Sequence, residues 1–156
     1  SGRNMCYPDI NFVGIDNCEN LLKICKHKGL NVVYGDMCKL PFKDNSADYI
    51  ISIASFHHLS NDERRILALK ELYRVIKPGG KVLISVWSIN QPKKTRRVFS
   101  EYGDTIVKWD QNGDTFDRYY YIFKLDEIKK LFANTKFYIQ NYKWDCGNEV
   151  FTLIKK

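Results

Sequence analysis

Ala47-Asp48-Tyr49-Ile50-Ile51-Ser52-Ile53-Ala54 is a run apolar enough for a strand covered on both faces. What surrounds it fixes its setting. Ser60-Asn61-Asp62-Glu63 has the spacing of a capping box, with Ser60 capping the third helical amide and Glu63 reaching back. The helix it opens turns Ile66, Leu67, Leu69, Leu72, Val75 and Ile76 inward. Lys77-Pro78-Gly79-Gly80 ends it, because proline cannot continue a helix and glycine turns the chain. Lys81 to Trp87 is then a further strand.

Upstream the same alternation appears. Ile10 to Asp16 reads as a short buried strand ending in an acid. Asn17 is placed to cap a helix carrying Leu21, Leu22, Ile24 and Cys25, closed at Gly29. Leu30 to Tyr34 reads as another strand, ending at Gly35-Asp36, and a loop with Pro41 and Lys43-Asp44-Asn45-Ser46 follows. Downstream, Ser88 to Tyr121 has weak periodicity and dense positive charge and aromatics, which suggests mobility in the absence of a polyanion. A short helix over 125–132 and two strands near 136–144 and 149–154, joined at Cys146-Gly147-Asn148, complete the pattern. Strands alternating with helices predict a parallel α/β sheet, here finished by an antiparallel hairpin.

Composition sets outer bounds. The chain of 156 residues is one domain's worth, and 44% hydrophobic residues can build a core. The net charge of +7 either attracts a polyanion or only keeps a small domain dissolved. There is no apolar run long enough for a transmembrane helix, and residues 1–8 lack the apolar stretch of a signal peptide. Cys6, Cys18, Cys25, Cys38 and Cys146 are odd in number and form no C-x-x-C pair, which argues for a reducing compartment without a disulfide framework. Adjacent His57 and His58 point different ways along a strand, so a metal site is not expected there.

Taken in order, Asp16 at a strand end, Gly35-Asp36-Met37 at the next and Lys77-Pro78-Gly79-Gly80 before a strand resemble the class I S-adenosylmethionine-dependent methyltransferases, a Rossmann-like fold. A narrower resemblance is carried by Ile51-Ser52-Ile53-Ala54-Ser55-Phe56-His57-His58-Leu59-Ser60 with Arg64-Arg65 and Ala68-Leu69 after it. Val86-Trp87-Ser88, Gln91, Asp104-Thr105-Ile106-Val107-Lys108-Trp109, Arg118-Tyr119-Tyr120-Tyr121-Ile122-Phe123 and Gly147-Asn148 extend it. These segments are similar to those of the tRNA wobble-uridine carboxymethyl methyltransferases, including the methyltransferase domain of AlkB-type tRNA hydroxylases. Lys108 stands where that family has proline and Tyr121 where it has histidine.

The resemblance implies S-adenosylmethionine as cofactor, bound by Gly2, Asp16, Asn17, Asp36, Met37 and Ala54. It implies tRNA as substrate, a small zinc-binding activator protein as partner, no membrane, and a cytoplasmic or nuclear setting. The fold normally opens with a strand and a glycine-rich loop, and Ser1-Gly2-Arg3-Asn4 looks like the tail of that loop unless Ser1-Gly2 is an expression scar. The expectation is therefore a domain lacking its N-terminal strand, with a gap between the strands ending at Asp16 and Ala54.

A carboxylate acceptor is ionised at neutral pH and needs positioning more than a general base. His57 and His58 border the expected acceptor pocket, where one would orient the substrate and the other cap or fill the core. Arg118 either clamps a carboxylate or phosphate or is an ordinary surface arginine. Tyr119 either stacks on a flipped base or belongs to the core. Lys93, Lys94, Arg96 and Arg97, following the strand end at Trp87, are candidates for RNA backbone contacts or a solvated loop. A small-molecule methyltransferase of the same fold, or an RNA-binding scaffold without cofactor, are the competing readings.

Overall fold

The structure, a computed structural model, describes residues 2–95, 97–111 and 113–156, with only the backbone described at position 111. Chain order is β1 (Gly14–Asp16), α1 (Glu19–His27), β2 (Val32–Tyr34), β3 (Ala47–Ile53), α2 (Asp62–Val75), β4 (Ile76–Trp87), β5 (Gly103–Gln111), β6 (Asp114–Ile122), α3 (Leu125–Ala133), β7 (Phe137–Asp145) and β8 (Asn148–Lys155). Short 3-10 turns cover Phe56–His58 and Lys93–Thr95.

The main sheet runs β3-β4-β8-β7. β3 and β4 are parallel, and β8 and β7 add the antiparallel hairpin expected from the sequence. β1 and β2 form a separate parallel pair, and no ladder joins β1 to β3 among the described residues. Both strands therefore keep an unpaired edge. Tyr49, Ile51 and Ile53 of β3 and Val13 before β1 are exposed, although their type suits burial.

Packing explains the order of the elements. α2 lays Ala68, Leu69, Leu72 and Val75 on Val82, Ile84 and Val86 of β4, and α3 adds Ile128, Leu131 and Phe132 beside Phe151 and Leu153 of β8. Burying one such side chain stabilises by about 1.5–3 kcal/mol relative to exposure, so this double layer holds the molecule. β1 contributes only the partly buried Ile15 to that core.

Four local expectations are corrected. β1 begins at Gly14, because its partner β2 is three residues long and residues 10–13 find no ladder. α1 is capped at Cys18, not Asn17; the Asp16 carboxylate accepts from the Cys18 amide and turns the chain there. α2 is capped by Asn61, whose Oδ1 accepts from the Arg64 amide at 2.9 Å, so the Ser60–Glu63 box is not used. β4 begins at Ile76, paired with Ala47, and Lys77-Pro78-Gly79-Gly80 is a bulge within the strand. A Cβ at Gly80 would lie 2.9 Å from the Asp48 carbonyl, so only glycine fits the close approach of β3.

The largest departure is Ser88 to Tyr121. Much of it is an antiparallel ribbon, with Gly103 paired to Ile122 through Gln111 paired to Asp114. Behind it, residues 88–92 are pinned to the β7–β8 turn: the Ser88 amide donates to the Gly147 carbonyl at 2.9 Å, and Gln91 Nε2 donates to the same carbonyl at 2.6 Å.

Candidate functional site

β3 and β4 end side by side, and the carboxyl ends of parallel strands are where α/β sheets place their chemistry. At the end of β3, Ala54 takes a left-handed backbone (φ 51°), a conformation costing a non-glycine residue on the order of 1 kcal/mol. Its amide donates to the Ser85 carbonyl of β4 at 2.9 Å, and the bend throws Phe56–His58 into a tight turn over the sheet end.

The adjacent histidines are fixed in opposite tautomers. His57 is fully buried, and its Nδ1 accepts from the Trp87 amide at 3.0 Å. The proton must then sit on Nε2, for which no partner meets hydrogen-bond geometry among the described residues. Burial above all pushes its pKa down to about 3, so it is neutral at physiological pH. His58 is exposed, and its Nδ1 lies 2.7 Å from the Tyr119 carbonyl. A carbonyl can only accept, so Nδ1 carries the proton and Nε2 offers a lone pair. Burial and the Arg118 charge also lower the His58 pKa.

Aromatic rings wall the two histidines. Tyr120 of β6 lies 5.0 Å from the His57 ring and 4.4 Å from the His58 ring. It stacks on Trp87 at 4.1 Å, with 10° between the planes. The Arg97 guanidinium lies 4.3 Å over the Trp87 ring, and that of Arg118 lies 5.0 Å from the Trp109 ring centroid.

Tyr119 is not among these rings. Its hydroxyl donates to the Asp104 carboxylate, and burial with that bond raises its pKa to about 12. Tyr120 is the tyrosine brought to the histidines. Lys93 and Lys94 are exposed on the turn after Trp87, and Arg96 lies outside the described residues.

Arg65 is the residue that sequence reasoning passed over. It is buried, donates through Nε to the Leu59 carbonyl at 3.2 Å, pairs with Asp62 at 2.6 Å and places its guanidinium 3.6 Å over the Tyr121 ring. It thereby ties the segment after His58 to β6. The paired Arg64-Arg65 marked the place but not which arginine turns inward.

The second cluster lies at the carboxyl ends of β1 and β2. Asp16 and Tyr34 are paired, so Asp36 stands just beyond Asp16 on the neighbouring strand. The Cys38 amide donates to Asp36 Oδ1 at 2.8 Å, and Arg64 Nη2 donates to both carboxylate oxygens at 3.2 and 2.9 Å. These bonds hold the Asp36 pKa below the usual carboxylate range. Met37 is half-buried against the core. Two carboxylates on successive strand ends are the acceptors that adenosine needs for ribose hydroxyls and a ring amine, so these residues fit the nucleoside part of S-adenosylmethionine. The Asp36 carboxylate would then accept from that amine and from Arg64 together.

One of the expected cofactor residues lies apart from this cluster. Gly2 packs against Leu30, before β2, at the amino-terminal side of the parallel pair and away from Asp16 and Asp36. Asn17 is exposed beside the Asp16–Cys18 turn. Two open cavities, about 620 and 440 Å3, border α3 and the β7–β8 hairpin and include neither histidine nor either carboxylate.

Residues 1–84 match the family described as "Methyltransferase domain". Over 162 residues the chain is 35% identical to an Encephalitozoon cuniculi protein named as a methyltransferase, covering 100% of this chain and 74% of that one. It is 31% identical over 163 residues to the Schizosaccharomyces pombe tRNA (carboxymethyluridine(34)-5-O)-methyltransferase, covering 90% and 71%. The mouse "Probable tRNA methyltransferase 9B" is 42% identical over 102 residues, 65% of this chain and 22% of that protein, so the chain spans about a fifth of that relative. A SAM-dependent methyltransferase structure from Methanosarcina mazei shares the fold with a TM-score of 0.72 at 21% identity, covering 92% and 81%. The strand-end carboxylates, the bent β3 terminus and these matches agree: the chain belongs to the class I S-adenosylmethionine-dependent methyltransferases, in the family that includes the tRNA carboxymethyluridine methyltransferases.

Proposed function

We propose that the protein methylates the carboxymethyl group of wobble uridine in tRNA, giving the methyl ester. The observation that carries this reading is the exposed Arg118 on the same ribbon face as Tyr120, whose ring lies 4.4 Å from that of His58 in the aromatic wall at the β3–β4 ends. S-adenosylmethionine supplies a sulfonium methyl with a neutral thioether as leaving group. One carboxylate oxygen forms the new O–CH3 bond as the S–CH3 bond breaks, and no proton moves. An ionised carboxylate is already the nucleophile, so the residues have only to hold it in line.

Arg118 is the group suited to the carboxylate, through paired N–H donors. His58 is not, because a neutral imidazole presenting a lone pair repels an anion. Its Nε2 suits a donor on the substrate, such as the imide N–H of a uracil ring. His57 acts through Trp87, whose amide it fixes, and is a positioning residue. Lys93, Lys94 and Arg97 would meet RNA phosphates. A zinc-binding activator, and a cytoplasmic or nuclear setting, accompany this reading as proposals.

The test uses the full-length protein, S-adenosylmethionine labelled in its methyl group, and tRNA carrying carboxymethyluridine. Label entering the tRNA and leaving as methanol in mild alkali is expected, because an ester is saponified. Label that survives alkali would place the methyl on nitrogen, carbon or a ribose hydroxyl and contradict the proposal.

A further inference from the structure

The β5–β6 ribbon has two chemically different faces. Cross-strand partners share a face, and faces alternate along each strand. One face carries the pairs Thr105–Tyr120, Val107–Arg118 and Trp109–Phe116. The other carries Asp104–Tyr121, Ile106–Tyr119, Lys108–Asp117 and Asp110–Thr115. The second face thus holds three acids and one lysine. On the first, the only acid is Asp114 at the tip, opposite Gln111.

The first face is continuous with the histidine site. Tyr120 touches both histidines and Trp87, Arg118 follows two residues along, and Phe116 lies two further. At about 3.4 Å per residue the stripe from Tyr120 to Phe116 is roughly 14 Å long. Its outer end is an exposed aromatic pair, with Trp109 42% and Phe116 51% accessible. The Arg118 guanidinium lies 5.0 Å from the Trp109 ring. Tyr120 and Trp87 are packed, whereas Trp109 and Phe116 are exposed, so the inner rings build the site while the outer pair, with Arg118 beside it, faces solvent.

We infer that the Trp109–Phe116 face is a stacking platform for single-stranded RNA nucleotides flanking the methylated one. This rests on the reading of the site as one that acts on RNA. Bases unstacked in a loop lie on aromatic rings and arginine planes whatever their sequence, and a stripe that carries Arg118 and no acid between Tyr120 and Phe116 tolerates the phosphates between them. The acidic second face repels the same strand, so the ribbon presents RNA with one side only.

The experiment measures binding of a fluorescein-labelled anticodon stem-loop carrying carboxymethyluridine to the full-length protein by anisotropy. Trp109→Ala and Phe116→Ala should each weaken binding about tenfold, the usual effect of losing one base-stacking ring. Trp109→Phe should recover most of it. The slope of log Kd against log salt should be unchanged in Trp109→Ala, since no ion is lost, and shallower in Arg118→Ala. Ile106→Ala, which shortens an equally exposed side chain on the other face (60% accessible), should leave Kd unchanged. Unchanged Kd in both aromatic variants, as a protein-docking face would give, overturns the platform, and so does an equal loss in Ile106→Ala. If the wild-type protein itself neither binds nor methylates the stem-loop, the RNA reading fails and the platform with it.

Discussion

The two histidines and the two strand-end carboxylates stand on very different supports. β3 and β4 have seven and twelve residues and lie under α2 and α3 in the main core. β1 and β2 have three residues each and, among the described residues, pair only with one another and lend that core only Ile15. The acceptor side is thus held by packing, with buried His57 and Arg65 as internal struts. The nucleoside side is held by hydrogen bonds to Asp16 and Asp36, local ones from the Cys18 and Cys38 amides and one ion pair from Arg64 on α2. Substitutions on the first side should cost stability, and those on the second should cost affinity with little effect on folding.

Arg65→Ala should break the first side most severely. It removes buried hydrogen bonds to Leu59 and Tyr119 and the stack on Tyr121, and a loss of about 3 kcal/mol in urea unfolding is expected. A loss below about 1 kcal/mol would mean that the ribbon and the His58 segment are not coupled through it. Arg118→Ala separates function from support on the same side. An exposed arginine leaves stability nearly unchanged, while kcat/KM for a carboxylate acceptor should fall about a hundredfold, or about 2.7 kcal/mol.

His57 links support to pH. The unfolded imidazole titrates near 6.5 and the folded one near 3. Above 6.5 both states are neutral and pH has no effect through this group. Below it the unfolded chain takes up a proton that the folded one refuses, so stability falls as pH drops from 6.5 toward 3. Between pH 6.5 and 5 the loss should be about 2 kcal/mol. His57→Gln keeps an acceptor for the Trp87 amide and should flatten that dependence; an unaltered profile would show the buried neutral assignment to be wrong.

Asp16→Ala sharpens the other side of the contrast. Calorimetric affinity for S-adenosylmethionine should drop about tenfold, as expected for one charge-assisted hydrogen bond, with stability changed by about 1 kcal/mol through the lost Cys18 contact. The smallest effect is a comparison of neighbours. Asn61→Ala should destabilise by about 1 kcal/mol, because it caps α2, whereas Ser60→Ala should be nearly silent in thermal unfolding.

The parallel strands, α2, α3 and the β7–β8 hairpin were legible because one buried face writes a period into the sequence. The β5–β6 ribbon was not, because each face mixes apolar and polar residues, as Trp109 and Arg118 do on one and Ile106 and Asp117 on the other. The signal that could have found it is Asn112-Gly113, a strong two-residue hairpin pair between the strands. The division of labour between His57 and His58 was hidden for another reason. It depends on which backbone group each ring meets, the Trp87 amide or the Tyr119 carbonyl, and both come from distant strands. The position of Gly2 against Leu30 was not legible, because no period or spacing near it records a contact made across the fold.

The pH dependence of single-turnover methyl transfer to carboxymethyluridine RNA, from pH 6.5 to 9, bears most directly on a site that positions an ionised carboxylate and uses no general base. A rate flat across that range is expected, because a carboxylate acceptor is ionised throughout it and the buried His57, with its pKa near 3, stays neutral. A rate rising about tenfold per pH unit would require a proton to be removed from the acceptor, and would contradict both the carboxylate and the roles given to Arg118 and His58.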